Sequence, residues 1–225
     1  MAFKVIRNAL LVFPDNSTSN GIANALGQQV TMDFYTWMAM MGASFQVRAG
    51  TITTPLVGDV VLTDTAAEYC ADAAAGTTII PVYNNISIRL AATLANEFAI
   101  KSVATVSSAG AAFTPLPLKT IGPNLAATPT AATSTARVAA AGGVTVTAEL
   151  ATTTRRHWSW SNPTGNTTAG TNVGIFAQPP LDWSPRMPPI LAGAWCIYVQ
   201  IAAATTGPSY YANLDYIEQP TANFL

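Results

Sequence analysis

The sequence predicts an all-β protein, and three observations support that fold class. Apolar and polar residues alternate with a period of two in many segments, which buries one face of a strand. Helical signals are weak, because the alanine runs at residues 71–75 and 139–141 are short and end at glycine. About eight to ten strands result. That number suits a two-sheet antiparallel sandwich, or a barrel, better than an open sheet.

The alternation is strongest near the C-terminus. Trp195, Ile197, Val199 and Ile201 occupy every second position there, and we expect all four to face the core. Similar alternation marks residues 44–49, 86–90, 144–150 and 157–161, and other β-like runs lie at residues 4–13, 30–37, 59–63, 77–82, 97–106, 173–177 and 210–217. A Thr-Thr-Gly-Pro turn at residues 205–208 predicts that the last two strands form a hairpin. Residues 17–29 are the one predicted helix.

Two segments interrupt the strand pattern. Residues 120–143 are an Ala/Thr/Pro tract whose single charge is Arg137, and they predict a long extended connection over the surface. Residues 178–189 hold five prolines and Trp183, and proline cannot continue a β-ladder. No internal repeat or domain boundary is visible, so residues 1–225 are predicted to form a single β-sandwich domain with long connecting loops.

The chain carries few charges. Asp, Glu, Lys and Arg make up 9% of it, whereas an ordinary soluble domain has about 25%. Small neutral residues replace them, and such a surface suits a protein that is mostly covered by copies of itself. The net charge is −1 with no basic cluster, so strong nucleic-acid binding is not expected. No apolar run is long enough to predict a transmembrane segment.

No catalytic or cofactor motif is present, and we expect a non-enzymatic protein without a cofactor. The only histidine is His157, there is no G-x-S-x-G, and a zinc site needs more His and Cys ligands than this chain offers. Arg155 and Arg156 are interface candidates, because arginine suits ion pairs between subunits. Cys70 and Cys196 are expected to be reduced, buried and not bonded to each other.

The candidates for binding are weak. Asp59, Asp64, Glu68 and Asp72 form the one loose group of acids. Asp64, Glu68 and Asp72 could hold calcium at a subunit contact, although a solvated loop is the simpler interpretation, so no metal is predicted. Trp183, within the proline-rich loop, is a further interface candidate. It could also contact a sugar, together with tyrosines such as Tyr210 and Tyr211.

Three stretches resemble the single jelly-roll capsid proteins of icosahedral viruses. They are residues 76–89 (GTTIIPVYNNISIR), 194–201 (AWCIYVQI) and 210–218 (YYANLDYIE), and the resemblance spans residues 34–218. It implies an eight-stranded antiparallel jelly roll with extra strands that self-assembles into a shell. It also implies a place in the virion after assembly in the host cytoplasm, with copies of the chain and other virion proteins as partners.

The chain departs from many small RNA-virus coat proteins because it lacks an arginine- and lysine-rich arm. That difference points to shells in which a separate protein, or an internal membrane as in some tailless phages, lies between coat and genome. Two alternative functions stay open. One is a carbohydrate-binding β-sandwich module, and the other is a phage decoration, fibre or surface-layer protein.

Overall fold

A computed structural model of the chain describes residues 34–90, 96–119, 131–139, 143–148, 154–160, 181–182 and 188–223. The predicted fold class is confirmed, because these residues are mostly β-strand and their sheets are antiparallel. The elements in chain order are α1 (Phe34–Met41), β1 (Ser44–Ala49), β2 (Leu56–Val57), β3 (Ala66–Ala67), β4 (Tyr69–Asp72), β5 (Thr77–Leu90), β6 (Asn96–Val103), β7 (Ser108–Ala109), β8 (Ala111–Phe113), β9 (Leu116–Pro117), β10 (Thr135–Val138), β11 (Val144–Thr145), β12 (Thr154–Trp160), β13 (Leu181–Asp182), β14 (Leu191–Ala192), β15 (Cys196–Ala203), β16 (Ser209–Pro220) and a 3-10 helix (Thr221–Asn223).

Three sheets are present in the described residues. The front sheet has the strand order β13–β5–β16–β1–β9, with β14 also pairing with β5 and β2 with β16. The middle sheet has the order β12–β6–β15–β4–β10–β8, and the small sheet has the order β3–β11–β7. Nine strands pair in a nested manner along the chain: β1 with β16, β4 with β15, β5 with β13 and β14, and β6 with β12.

The main core lies between the front and middle sheets. Ile197, Val199 and Ile201 are fully buried in it, and Trp195 packs against it while partly exposed, which confirms the inward face predicted for this segment. The front sheet contributes alternate residues of β1 and β16, among them Val47 and Leu214. The two sheets therefore bury their alternating apolar faces against each other, as the period of two requires.

The middle sheet is also covered on its outer face. Cys70, Cys196 and Tyr198 point away from the main core and pack with Val144 and Val146 in a second buried cluster. All eight residues of β15 are consequently buried. This third layer was not predicted, because alternation such as that at residues 144–150 indicates which face of a strand is apolar and not which surface that face covers.

A helix replaces part of a predicted strand. We expected residues 30–37 to be β, yet Phe34–Met41 is α1, and its Met38 packs against Ile80 and Ile217 on the outer face of the front sheet. The residues after position 36 include Met and Ala, which favour a helix, and packing of the buried Met38 stabilises it. The helix predicted at residues 17–29 and the strands predicted at 4–13 and 173–177 lie outside the described residues.

The predicted terminal hairpin is wrong. β15 pairs with β4 and β6 in the middle sheet, whereas β16 pairs with β1, β2 and β5 in the front sheet. Both strands are central, so β15 has no free edge for its sequence neighbour along most of its length. The β-like run at residues 59–63 likewise forms only an isolated bridge, between Asp59 and Ala202.

Part of the Ala/Thr/Pro tract belongs to a sheet, unlike the surface connection expected for residues 120–143. Thr135–Val138 is β10, which lies between β4 and β8, and Ala136 is fully buried in the main core. Glu218 of β16 accepts hydrogen bonds from the backbone N–H of Thr133 (2.7 Å) and of Ser134 (3.0 Å). The Ser134 hydroxyl also donates to the Glu218 carboxylate at 2.5 Å, so the front sheet holds the start of β10 in place.

We expect Val199→Asp to lower the free energy of unfolding by about 3–5 kcal/mol, because it buries an unpaired charge in the main core. The matched control is Val57→Asp, at a residue that is 64% exposed on β2. It should change stability by no more than about 0.5 kcal/mol. Urea unfolding of the purified protein measures both, and equal effects would contradict the assigned core.

Candidate functional site

A cluster of buried polar side chains lies on the outer face of the middle sheet. Within the part of the chain that the structure describes, one group of potential metal ligands converges: the Cys70 sulfur, an Asp72 carboxylate oxygen and the Cys196 sulfur lie within 4.8 Å of one another. Strand register brings them together. β15 pairs with β4 so that Cys196 is opposite Asp72 and Tyr198 is opposite Cys70.

Asp72 is held by hydrogen bonds from the loop that precedes β7. The backbone N–H of Ser107 donates to Asp72 Oδ1 at 2.9 Å, and its hydroxyl donates to Oδ2 at 2.6 Å. The Ser107 hydroxyl is also 3.1 Å from the Cys70 sulfur. Arg137 Nε lies 3.6 Å from Asp72 Oδ2, and the Arg137 Nη1 group donates to the carbonyl of Ala109. The carboxylate therefore joins β4, β10 and the loop before β7.

Both cysteines are free thiols and both are buried, as the sequence predicted. Burial raises the pKa of the Cys196 thiol well above its usual value, and the neighbouring Cys70 and Asp72 raise it further. With no cation bound, this thiol is consequently protonated at neutral pH. The sequence contained one local signal for the cluster, since Cys70 and Asp72 are two residues apart and share a strand face.

Glu68 occupies a different buried position, at the end of β15. Its Oε1 accepts a hydrogen bond from the backbone N–H of Asp59 at 3.0 Å. Asp59 forms a bridge with Ala202 of β15, beyond the residues of β15 that pair with β4. Burial raises the pKa of Glu68 from 4.5 to about 8, and the Asp59 carboxylate adds to that shift. The Glu68 carboxyl thus holds the crossover of residues 56–59 between the front and middle sheets.

Two glycines allow this crossover to pack closely. A Cβ atom on Gly207 would overlap the carbonyl oxygen of Gly58, and a Cβ atom on Gly58 would lie 2.5 Å from that of Ile201. The Gly58 N–H also donates to the Pro208 carbonyl at 2.9 Å. Glycine is required at both positions because the two backbones are in direct contact.

The three acids considered as metal candidates have three different partners. Asp64 is exposed, with one carboxylate oxygen 3.8 Å from Lys101 Nζ. Glu68 binds the Asp59 backbone, and Asp72 binds Ser107. Among the described residues, only Asp72 joins a group of potential ligand atoms, and its neighbours there are the two cysteines.

The interface candidates are located only in part. Arg155 and Arg156 lie on β12, at one edge of the middle sheet, and β12 pairs with β6. Trp183 lies outside the described residues. Of the two tyrosines considered for sugar contact, Tyr210 is fully buried in the main core, so its ring cannot reach a sugar, whereas Tyr211 is partly exposed. Among the helices described, none is long and apolar enough to cross a membrane.

Exposed apolar side chains mark one edge of the front sheet. Met40, Met41, Leu116 and Leu118 are each 43–58% exposed, and we call this group the β9 edge. β9 is the last strand at that end of the sheet, and the Leu118 N–H donates to the Ser44 carbonyl at 2.9 Å, close to where α1 ends. Apolar side chains on an unpaired sheet edge are typical of an interaction surface.

A second exposed apolar group lies on the loop before and after β2. It consists of Ile52, Val57, Val60 and Val61, which are 56–68% exposed. β2 pairs with β16, so this group lies at the end of the front sheet next to the crossover. The two groups give the front sheet apolar surface that its own chain does not cover in the described residues.

Comparisons of the chain with protein-family models, with curated proteins and with solved structures found no match.

We expect the free energy of unfolding to fall as the pH rises from 4.5 to about 8, because folded Glu68 keeps its proton while the unfolded chain releases it. The stabilisation is complete below pH 4.5 and is lost as the pH passes the folded pKa. Glu68→Gln should remove this contribution, which reaches about 1.4 kcal/mol per pH unit. The control is Glu97→Gln, at an exposed position. Denaturant unfolding at several pH values in this window measures the change of the unfolding free energy with pH. If both variants kept the wild-type dependence on pH, the assignment to Glu68 would be contradicted.

Proposed function

We propose that this chain is a structural coat subunit that self-assembles into an icosahedral virus shell, like the single jelly-roll capsid proteins it resembles. The observation that supports the proposal most strongly is the nested pairing of its strands. The first strand of the sandwich pairs with the last, β1 with β16, and the next inward pair is β4 with β15. β5 then pairs with β13 and β14, and the innermost pair is β6 with β12.

Such nesting arises when one long antiparallel ribbon is wound around a core. Such winding would place β16 next to β5 and β15 next to β6, and both pairings are present within the seven-stranded and six-stranded sheets. Eight-stranded jelly rolls of this kind occur in viral capsid proteins, in lectins and in cupins. The remaining strands, including β9 at one edge and the small sheet, are additions around that frame.

The composition favours the capsid function over a lectin. A shell subunit is covered by its neighbours, so a surface with 9% charged residues is compatible with solubility of the assembly. A free-standing lectin needs a more charged surface. The exposed residues of the β9 edge and of the loop around β2 supply apolar area for contacts between copies.

The proposal places the protein in the virion, where it contacts copies of itself and other virion proteins. The near-neutral charge of the chain favours a coat that does not neutralise the genome directly. Its inner neighbour is then a separate protein or an internal membrane, against which the shell lies without spanning it.

We expect the purified protein to form closed particles or capsomers, measured by size-exclusion chromatography with light scattering and by negative-stain microscopy. Replacing Leu116 and Leu118 together by Lys should lower the fraction in particles by about tenfold or more, because charge is forced into an apolar contact. Circular dichroism checks that this variant is folded.

The charge-matched control replaces Ala75 and Ala104 by Lys, two exposed residues that lie between strands and do not belong to the β9 edge. It should assemble as the wild type does. A wild-type protein that stays monomeric at every concentration tested would contradict the proposal. Fibres or flat arrays would instead support the decoration, fibre or surface-layer alternative.

A further inference from the structure

The two cysteines of the chain are far apart in the sequence, yet the fold brings their sulfur atoms and an Asp72 oxygen to within 4.8 Å of one another. All three side chains are buried between the middle sheet and the small sheet. Cysteine pairs that meet in this way are usually explained by a disulfide or by a shared metal ion. The strand register distinguishes these two explanations.

The register disfavours a disulfide. Cys196 lies opposite Asp72, so Cys70 is its diagonal neighbour, two residues along β4. Diagonal neighbours on antiparallel strands have Cα atoms about 7–8 Å apart, whereas a disulfide joins Cα atoms that are usually about 4.4–6.8 Å apart. A metal ion spans such a gap more readily, because each sulfur lies about 2.3 Å from the ion.

We propose that Cys70, Asp72 and Cys196 form a binding site for one divalent transition-metal ion of the zinc type. His and Cys residues alone are too few for zinc, as the sequence indicated, but the fold adds the Asp72 carboxylate to the two sulfurs. Two sulfur ligands and one carboxylate oxygen suit a borderline-soft ion and leave one position of a tetrahedral ion open, whereas calcium and magnesium prefer oxygen-only ligand sets. The Ser107 hydroxyl, which is near both the Cys70 sulfur and the Asp72 carboxylate, is placed to orient these ligands.

The charges around the cluster balance when the ion is bound. Binding forms two metal–sulfur bonds and releases both thiol protons to solvent, which leaves two thiolates and one carboxylate. The divalent ion and the Arg137 guanidinium together offset these three negative charges. Arg137 Nε is buried and makes no hydrogen bond among the described residues, although it lies 3.6 Å from Asp72 Oδ2. The guanidinium charge is thus next to Asp72, one of the proposed ligands.

The proposed site would join three parts of the fold. Cys196 is on β15, Cys70 and Asp72 are on β4, and Ser107 comes from the loop that leads into the small sheet. A bound ion would hold the small sheet against the middle sheet. This inference does not depend on the coat function, since it concerns a site within one subunit.

The test uses full-length protein purified with a reductant, stripped of metal by a chelator and then titrated with Co²⁺. One equivalent should produce the near-ultraviolet absorption of thiolate-to-cobalt charge transfer, and Zn²⁺ should displace it. Zn²⁺ at about 100 times its Kd should raise the Tm by about 5–10 °C. It should also protect both thiols from alkylation.

Cys70→Ser and Cys196→Ser should each lose the absorption band and the Tm shift, whereas Asp64→Asn, an exposed acid outside the cluster, should keep both. If a Ser variant does not fold, the wild-type titration still decides the question. Wild-type protein without a charge-transfer band and without a Tm shift would overturn the proposal. So would a Cys70–Cys196 disulfide found by mass spectrometry of the unreduced protein.

Discussion

The burial of β4 and β15, in the middle sheet, on both faces is the constraint on which the rest of the structure depends. No residue of β4 or β15 is exposed. Ile197, Val199 and Ile201 face the front sheet, whereas Cys196 and Tyr198 face the small sheet. Each backbone N–H and C=O of a doubly covered strand needs a partner, because unpaired polar groups are costly in the interior. β15 meets this need by lying between two other strands, and that position excludes a hairpin with β16.

The two interfaces of the middle sheet differ in chemistry. The main core is apolar apart from contacts such as the hydrogen bond from the Tyr69 hydroxyl to Asn84, and apolar burial there supplies most of the driving force for folding. The outer interface carries Asp72, two thiols and Arg137. Polar groups in a low-dielectric interior interact strongly, and each needs a hydrogen-bond or charge partner. This interface is therefore stable only with a strand arrangement, or a bound ligand, that supplies those partners. The apolar surface proposed for assembly lies elsewhere, on the front sheet.

Local patterns in the sequence predicted the strands well where one face meets the main core. The alternation around Val47, Val199 and Leu214 gave β1, β15 and β16 close to their observed bounds. Local patterns failed where a distant contact decides the structure. α1 forms on the front sheet because Met38 packs against Ile80, and β10 joins the middle sheet although its small residues carry no strong β signal. The pairing partners of the strands could not be predicted either, because alternation indicates which face of a strand is buried and not which strands lie beside it.

The sequence by itself determined the all-β class, the inward face of the main strands and the scarcity of charge, because each of these follows from the order and type of neighbouring residues. Tertiary structure alone decided the nested pairing, the third layer and the raised pKa of the buried Glu68 carboxyl. It also decided that Asp72 meets Cys70 and Cys196 instead of Asp64 and Glu68. The physical reason is register: β4 and β15 are distant in the chain, and only their antiparallel alignment sets Cys196 opposite Asp72.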